Sequence, residues 1–199
     1  MGEEWQFSKA IRRFDEENGR DPNLIDVDGV AQPHELIYAL RLTEWVLRLQ
    51  PDASRPLLLA ARSQHICRWL IPRSSYDTTR AGYLRWRNDL KQLHAKKSAE
   101  ILREVGYDEA TIARVVELNL KKGLGHDQEC QVLEDALCLV TLQYQLAELI
   151  QKTDPDKMVG ILQKTWKKMS DAARAHALAL PFTQAESALI QKALAEGSQ

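Results

Sequence analysis

The sequence predicts an all-α, single-domain helical bundle. Three observations carry that prediction. Apolar residues recur with the helical period of 3.6 through most of the chain, no stretch alternates as a half-buried strand would, and cap residues fall at the breaks between periodic segments. A length of 199 residues suits one packed domain.

The elements follow in order. An amphipathic helix covers residues 4–17 and ends at Asn18-Gly19. Residues 20–33, with Asp21-Pro22 and Asp28-Gly29, read as an irregular loop. A second helix begins near His34 and stops before Pro51. A third begins at Ser54, an N-cap, with Pro56 in its first turn, and runs to about Leu70 before the break at Ile71-Pro72. After the polar segment IPRSSYDTTRAG, a long helix covers residues 83–105 and closes at Gly106. Asp108 caps a short helix ending at Lys122-Gly123. Asp127 opens a long apolar helix reaching Lys152. Two or three more follow over residues 155–169, 170–180 and 183–195. No linker is long enough to separate domains, so residues 1–199 read as one.

Composition excludes several classes. Apolar residues make up 44% and charged residues 28%, the mix of a folded protein. With 27 basic and 28 acidic residues the net charge is -1, against generic nucleic-acid or membrane-surface binding. Cys67, Cys130 and Cys138 lack the spacing of a paired metal or redox motif and point to a reducing compartment, and Cys67 and Cys138 read as core thiols. The N-terminal stretch is charged from its third residue, unlike a signal peptide, and no apolar run approaches the roughly 18 residues of a membrane span. A cytoplasmic protein is expected, with a small anionic molecule as partner, no membrane, and a homo-oligomer left open.

Polar residues stand where a core should be. In SRPLLLAARSQHICRWL, Leu57 to Ala61 are apolar all round, the mark of a central buried helix. Gln64 and His65 are set into it, and Arg68, Trp69 and Arg73 follow. His65 falls between Leu58 and Ala61 on the helical wheel, so its ring should be at least partly buried and partnered. Asp135 lies beside Leu139, Leu142 and Leu146, whereas Glu134 shares the more polar face. An unpaired buried carboxylate is costly, so Asp135 should be paired, hydrogen-bonded or bound to metal. His34 opens the second helix and His94 lies within the fourth. Three imidazoles and a carboxylate on four helices could converge on Zn, Fe or Mn. The competing reading is that they are satisfied core or surface groups, as His126 and His176 read.

The order of these residues resembles the HD superfamily of metal-dependent phosphohydrolases. His34 opens HELIYALRLTEWVL, LLLAARSQHICRW resembles the helix that carries the His-Asp pair, HAKKSAEILREVGYDEATIARVVELNLKKG resembles the next segment, and VLEDALCLV resembles the terminal Asp helix. The resemblance implies an HD-like core over about residues 34–150, with the helices of residues 155–195 packed on it. Gln64-His65 stands in place of His-Asp, which removes the carboxylate that bridges two metals. The implied centre is therefore mononuclear, with ligands from His65, His94 and Asp135 and a fourth from His34 or Glu35. The phrases QHICRWLIPR, GYLRWRNDLKQLHA, LEDALCLV and KTWKKMS are also similar to the family called domain of unknown function 4202, a name that carries no activity.

Around this centre the sequence is rich in guanidinium groups and flat rings. Arginine binds phosphate bidentately and an aromatic face can stack a base. Gln64, Arg68, Arg73, Tyr83, Trp86 and Arg87 are therefore the expected substrate-binding set, although arginine stems covering core tryptophans would give the same pattern. The expected function is a metal-dependent hydrolase acting on a small phosphorylated or nucleotide-like anion. The alternatives are an iron-dependent HD-type oxygenase and a catalytically degenerate scaffold that binds an anionic ligand or a protein partner.

Overall fold

Helix caps decide most of the architecture. Ser54 Oγ accepts a hydrogen bond from the Leu57 amide, Thr79 from Gly82, Asp108 from Thr111 and Ser170 from Ala173, each opening a helix. Gly106, at φ 92°, takes the left-handed conformation that closes the helix Thr79 opens. The computed structural model describes residues 2–196. Among them it forms ten α-helices: α1 Gly2–Asn18, α2 His34–Leu49, α3 Arg55–Ser63, α4 Arg80–Val105, α5 Glu109–Leu120, α6 Gln128–Tyr144, α7 Leu146–Lys152, α8 Pro155–Lys168, α9 Asp171–Leu178 and α10 Gln184–Glu196. The fold is all-α. No helix among the described residues is long and apolar enough to cross a membrane.

The chain forms two compact units, the first ending at Cys130 and the second beginning at Gln131, inside α6. In the first, α3 is central: Leu57, Leu59, Ala60 and Ala61 are fully buried, and α3 packs against α1, α2, α4 and α5. Its polar end is satisfied internally, because the Asn119 amide donates to Ser63 Oγ at 3.1 Å and to Ser98 Oγ at 2.9 Å. In the second unit, α8 packs against α7 and α10, and Leu142, Leu162, Ala177, Ile190 and Ala193 line one apolar interior space.

Three elements differ from the sequence reading. Residues expected as irregular loop contain a hairpin, β1 Leu24–Val27 and β2 Val30–Pro33, antiparallel with Val27 opposite Val30. Asp28 and Gly29 both have positive φ, 53° and 82°, as the tight turn of a two-residue hairpin requires. The third helix stops at Ser63 rather than Leu70, because Cys67 sits at φ 57° and cannot continue a right-handed helix; residues 64–67 form turns and Arg68–Leu70 a 3-10 turn. The long apolar helix that follows Asp127 breaks at Gln145, giving α6 and α7.

Candidate functional site

The break after α3 makes the site. It places Gln64 and His65 on a turn while Ile66, fully buried, anchors that turn in the core. Below it, α2 starts behind Pro33, whose side chain cannot cap. Asp21 does the capping from the preceding loop, where its Oδ2 accepts the Glu35 amide at 3.0 Å and its Oδ1 accepts the Asn23 amide at 2.9 Å. Glu35 is thereby fixed in the first helical turn with its carboxylate inside the protein, 4% exposed.

Three cationic or protonatable groups surround that carboxylate. Oε1 lies 3.3 Å from His34 Nδ1 and 3.7 Å from Arg68 Nε, and Oε2 lies 3.4 Å from His65 Nδ1. Burial alone would raise the Glu35 carboxyl, but the imidazoles of His34 and His65 outweigh it and hold it well below the usual carboxylate range. The Glu35 contact raises His34 above its ordinary value. His65 goes the other way: burial lowers it to about 4 against the pull of Glu35, with Arg68 adding to the fall. Tyr38, one turn on from His34, stacks on the His65 ring at 4.3 Å between centroids and fixes its plane.

His94 comes from the middle of α4 and is buried. Its Nδ1 lies 2.7 Å from the Ile66 carbonyl, to which it can only donate, and its Nε2 is buried without a hydrogen-bond partner. Burial lowers its pKa to about 3, helped by His65. The His65 and His94 rings are 5.7 Å apart.

Gln64, His65, Arg68 and His94 line a small cleft of about 30 Å³. Arg87 and Lys91, one turn apart on α4, and Lys121, which ends α5 at φ 57°, add three more cations to its wall. Arg68 is held over Trp86 at 4.9 Å, and Trp86 is itself fixed by a 2.9 Å hydrogen bond to the Ile71 carbonyl. Gln64 Nε2 faces the Asn119 carbonyl at 3.5 Å, and Gln64 Oε1 is buried without a partner.

The expected substrate set therefore divides. Gln64, Arg68 and Arg87 line the cleft, whereas Trp86 supports Arg68 from behind. Arg73 is spent on the carbonyls of Tyr76 and Asp77, at 2.9 Å and 2.6 Å, and Tyr83 packs against Trp86 at 5.9 Å. Of the expected metal ligands, His34, Glu35, His65 and His94 are linked through Glu35 and the two facing rings in the first unit. Asp135 lies in the second unit, 3% exposed, and its oxygens accept from the Ser170 amide at 2.9 Å, the Ser170 hydroxyl at 2.5 Å and Gln131 Nε2 at 2.9 Å. Glu134, expected on the more polar face, is just as buried and pairs with Lys168 at 3.4 Å. Sequence reasoning did not select Asp21, Tyr38 or Lys91 as site residues. The spacing of Tyr38 from His34 and Glu35, four and three residues, was the available signal for the second of these.

The cleft thus joins two neutral imidazoles to four cations, an arrangement suited to oxyanions. No curated protein and no solved structure matches the chain. The family model described as domain of unknown function (DUF4202) matches residues 8–190, and the chain belongs to that family.

Proposed function

We infer that the first unit carries a hydrolase site for a small phosphate-bearing molecule, nucleotide-like esters included. One observation supports this reading above the rest: two imidazoles, His94 with Nδ1 hydrogen-bonded to a carbonyl and His65 with Nδ1 3.4 Å from the Glu35 carboxylate, share a cleft with Arg68, Arg87, Lys91 and Lys121. The four cations are donors only, so they match phosphoryl oxygens and neutralise charge developing on them. His65 is the base in this reading. Its Nε2 takes a proton from the attacking water, and the Glu35 carboxylate stabilises the imidazolium that forms. A bound anion raises His65 from its low resting value, so substrate itself readies the base. The sequence resemblance of residues 34–150 to metal-dependent phosphohydrolases supports phosphate-ester hydrolysis as the reaction class.

A divalent ion, Mn, Fe or Zn, is the second reading. The posture of His94 favours it, since a ring with Nδ1 fixed on a carbonyl and Nε2 bare is that of a ligating histidine. His65, with Nδ1 on a carboxylate, would be the second ligand. The ion would acidify a water and polarise the phosphoryl oxygen. The surrounding charge favours an anion over a dication, however. Among the described residues the group of three candidate ligands close enough for one ion is Asp21, His34 and Glu35, and the carboxylate oxygens of Asp21 and Glu35 already face amides, imidazoles and Arg68.

Phosphate release from nucleotides and small monoesters tests the reading, using protein of measured metal content with and without Mn, Fe or Zn. Turnover without metal, falling by about 100-fold or more in His65→Ala, is expected. Turnover that strictly requires one of the ions selects the second reading. Unchanged turnover in His65→Ala contradicts the assigned base, and anion binding without turnover selects a non-catalytic scaffold.

A further inference from the structure

His94 Nε2 is an acceptor with nothing to accept. The residue is 2% exposed, the atom is buried without a partner, and Nδ1 spends the one proton of the neutral ring on the Ile66 carbonyl at 2.7 Å. A proton on Nε2 would place a charge in the interior beside His65 and close to Arg68, which burial and like charge both disfavour. Gln64 repeats the pattern on the same wall: its Nε2 faces the Asn119 carbonyl, and its buried Oε1 is unpartnered. The cleft therefore offers cationic donors together with neutral acceptors that lack a donor.

Two kinds of oxyanion meet this wall differently. A fully deprotonated anion such as sulfate only accepts hydrogen bonds, so it satisfies Arg68, Arg87 and Lys121 but presents lone pairs to His94 Nε2. An anion that retains a hydroxyl satisfies both sets, because its O–H can donate to Nε2 while its other oxygens accept from the cations. On this basis, and resting on the reading of the cleft as a phosphate site, we propose that His94 is the specificity-determining residue. Its Nε2 accepts the P–OH proton of a phosphate or phosphate monoester in its monoanionic form and excludes sulfate and sulfate esters.

Simple charge predicts the reverse order, since the cations attract doubly charged sulfate more strongly than a monoanion. That opposition makes the test sharp. Titration calorimetry of the full chain at about pH 6, where a phosphate monoester still retains much of its second proton, compares inorganic phosphate, arsenate and sulfate at matched ionic strength. Phosphate and arsenate should bind tighter than sulfate by about 10- to 100-fold, the scale of leaving a buried polar group unsatisfied. In His94→Phe, with folding checked by circular dichroism, that preference should collapse to near equality. If the variant does not fold, the ratio measured on the parent protein decides. Sulfate binding as tightly as phosphate on the parent overturns the proposal and leaves the anion site standing, because a water would then be supplying the missing donor. Failure of all three anions to bind overturns the anion site together with it.

Discussion

Nδ1 of His65 lies 3.4 Å from Oε2 of Glu35, and this contact joins the turn after α3 to the first turn of α2. Glu35 is the hub, because His34 and Arg68 reach the same buried carboxylate from other directions. Replacing it with Gln keeps the shape and removes the charge, leaving Arg68 without its counter-ion. Glu35→Gln should cost about 3 kcal/mol of stability, the low end for breaking a buried pair, because the Arg68 side chain keeps 27% of its exposure. Urea denaturation measures this. His34 should also titrate closer to its ordinary value in the variant, which proton NMR of its ring reports.

Acid should destabilise the protein well before ordinary carboxylates protonate. His65 and His94 titrate in the folded protein at about 4 and about 3, both lowered by burial from an ordinary value of 6.5. A depressed histidine leaves the unfolded chain binding the proton first. The stability is therefore full above pH 6.5 and is lost as pH falls toward the folded values. Glu35, also depressed, adds a loss of the same sign at lower pH, whereas the raised His34 contributes stability that disappears as pH rises through its folded value. Between pH 6 and 5 the slope should approach two protons, up to about 2.7 kcal/mol per pH unit. His94→Gln should roughly halve it in denaturant melts. A flat profile between those pH values would mean that the imidazoles are not held neutral.

Gly82 allows the start of α4 to close over the preceding loop. A Cβ there would sit 2.3 Å from the carbonyl oxygen of Asp77, which also accepts from Arg73 at 2.6 Å. Gly82→Ala must displace backbone rather than a side-chain tip, and should cost about 1–3 kcal/mol. Thermal melts check the size of that loss. Ordinary alanine behaviour at this position, a small gain in helix stability, would be the contrary result.

Arg87 separates function from stability. It lines the cleft and is exposed on α4. Arg87→Ala should weaken phosphate by about 1.5–3 kcal/mol while barely moving the melting temperature. Calorimetry with phosphate, paired with thermal melts, reads both halves. Unfolding of the variant, or undiminished phosphate affinity, would make this guanidinium structural.

Much of the fold was legible because its signals are local. Ser54, Asp108 and Gly106 mark helix ends through their own side-chain chemistry or lack of it. The hairpin was hidden because LIDV and VAQP are only four residues each and neither alternates apolar with polar side chains, so only Asp28-Gly29 announced the turn. The early end of α3 was hidden by a residue type: a cysteine at φ 57° leaves no mark of the kind a glycine would. In the site, His65 was visible as a polar group at an apolar position, His94 as a histidine within a helix, and His34 and Glu35 through the resemblance of residues 34–150. Lys91 and Lys121 were not, since a lysine on a helix reads as solvated until its neighbours are known. Asp135 was recognised as buried, but its partner Ser170 lies 35 residues along the chain, a pairing that periodicity does not encode.

Phosphate is proposed to enter the cleft beside His65 and His94. Titrating the isotope-labelled full chain with inorganic phosphate, while following the ring signals of both histidines and the Arg68 Nε–H, measures this at the site itself. Saturable shifts of all three groups at one common affinity, lost together in Arg87→Ala, are the predicted result. Shifts confined to other residues, or none at any of the three, would contradict it.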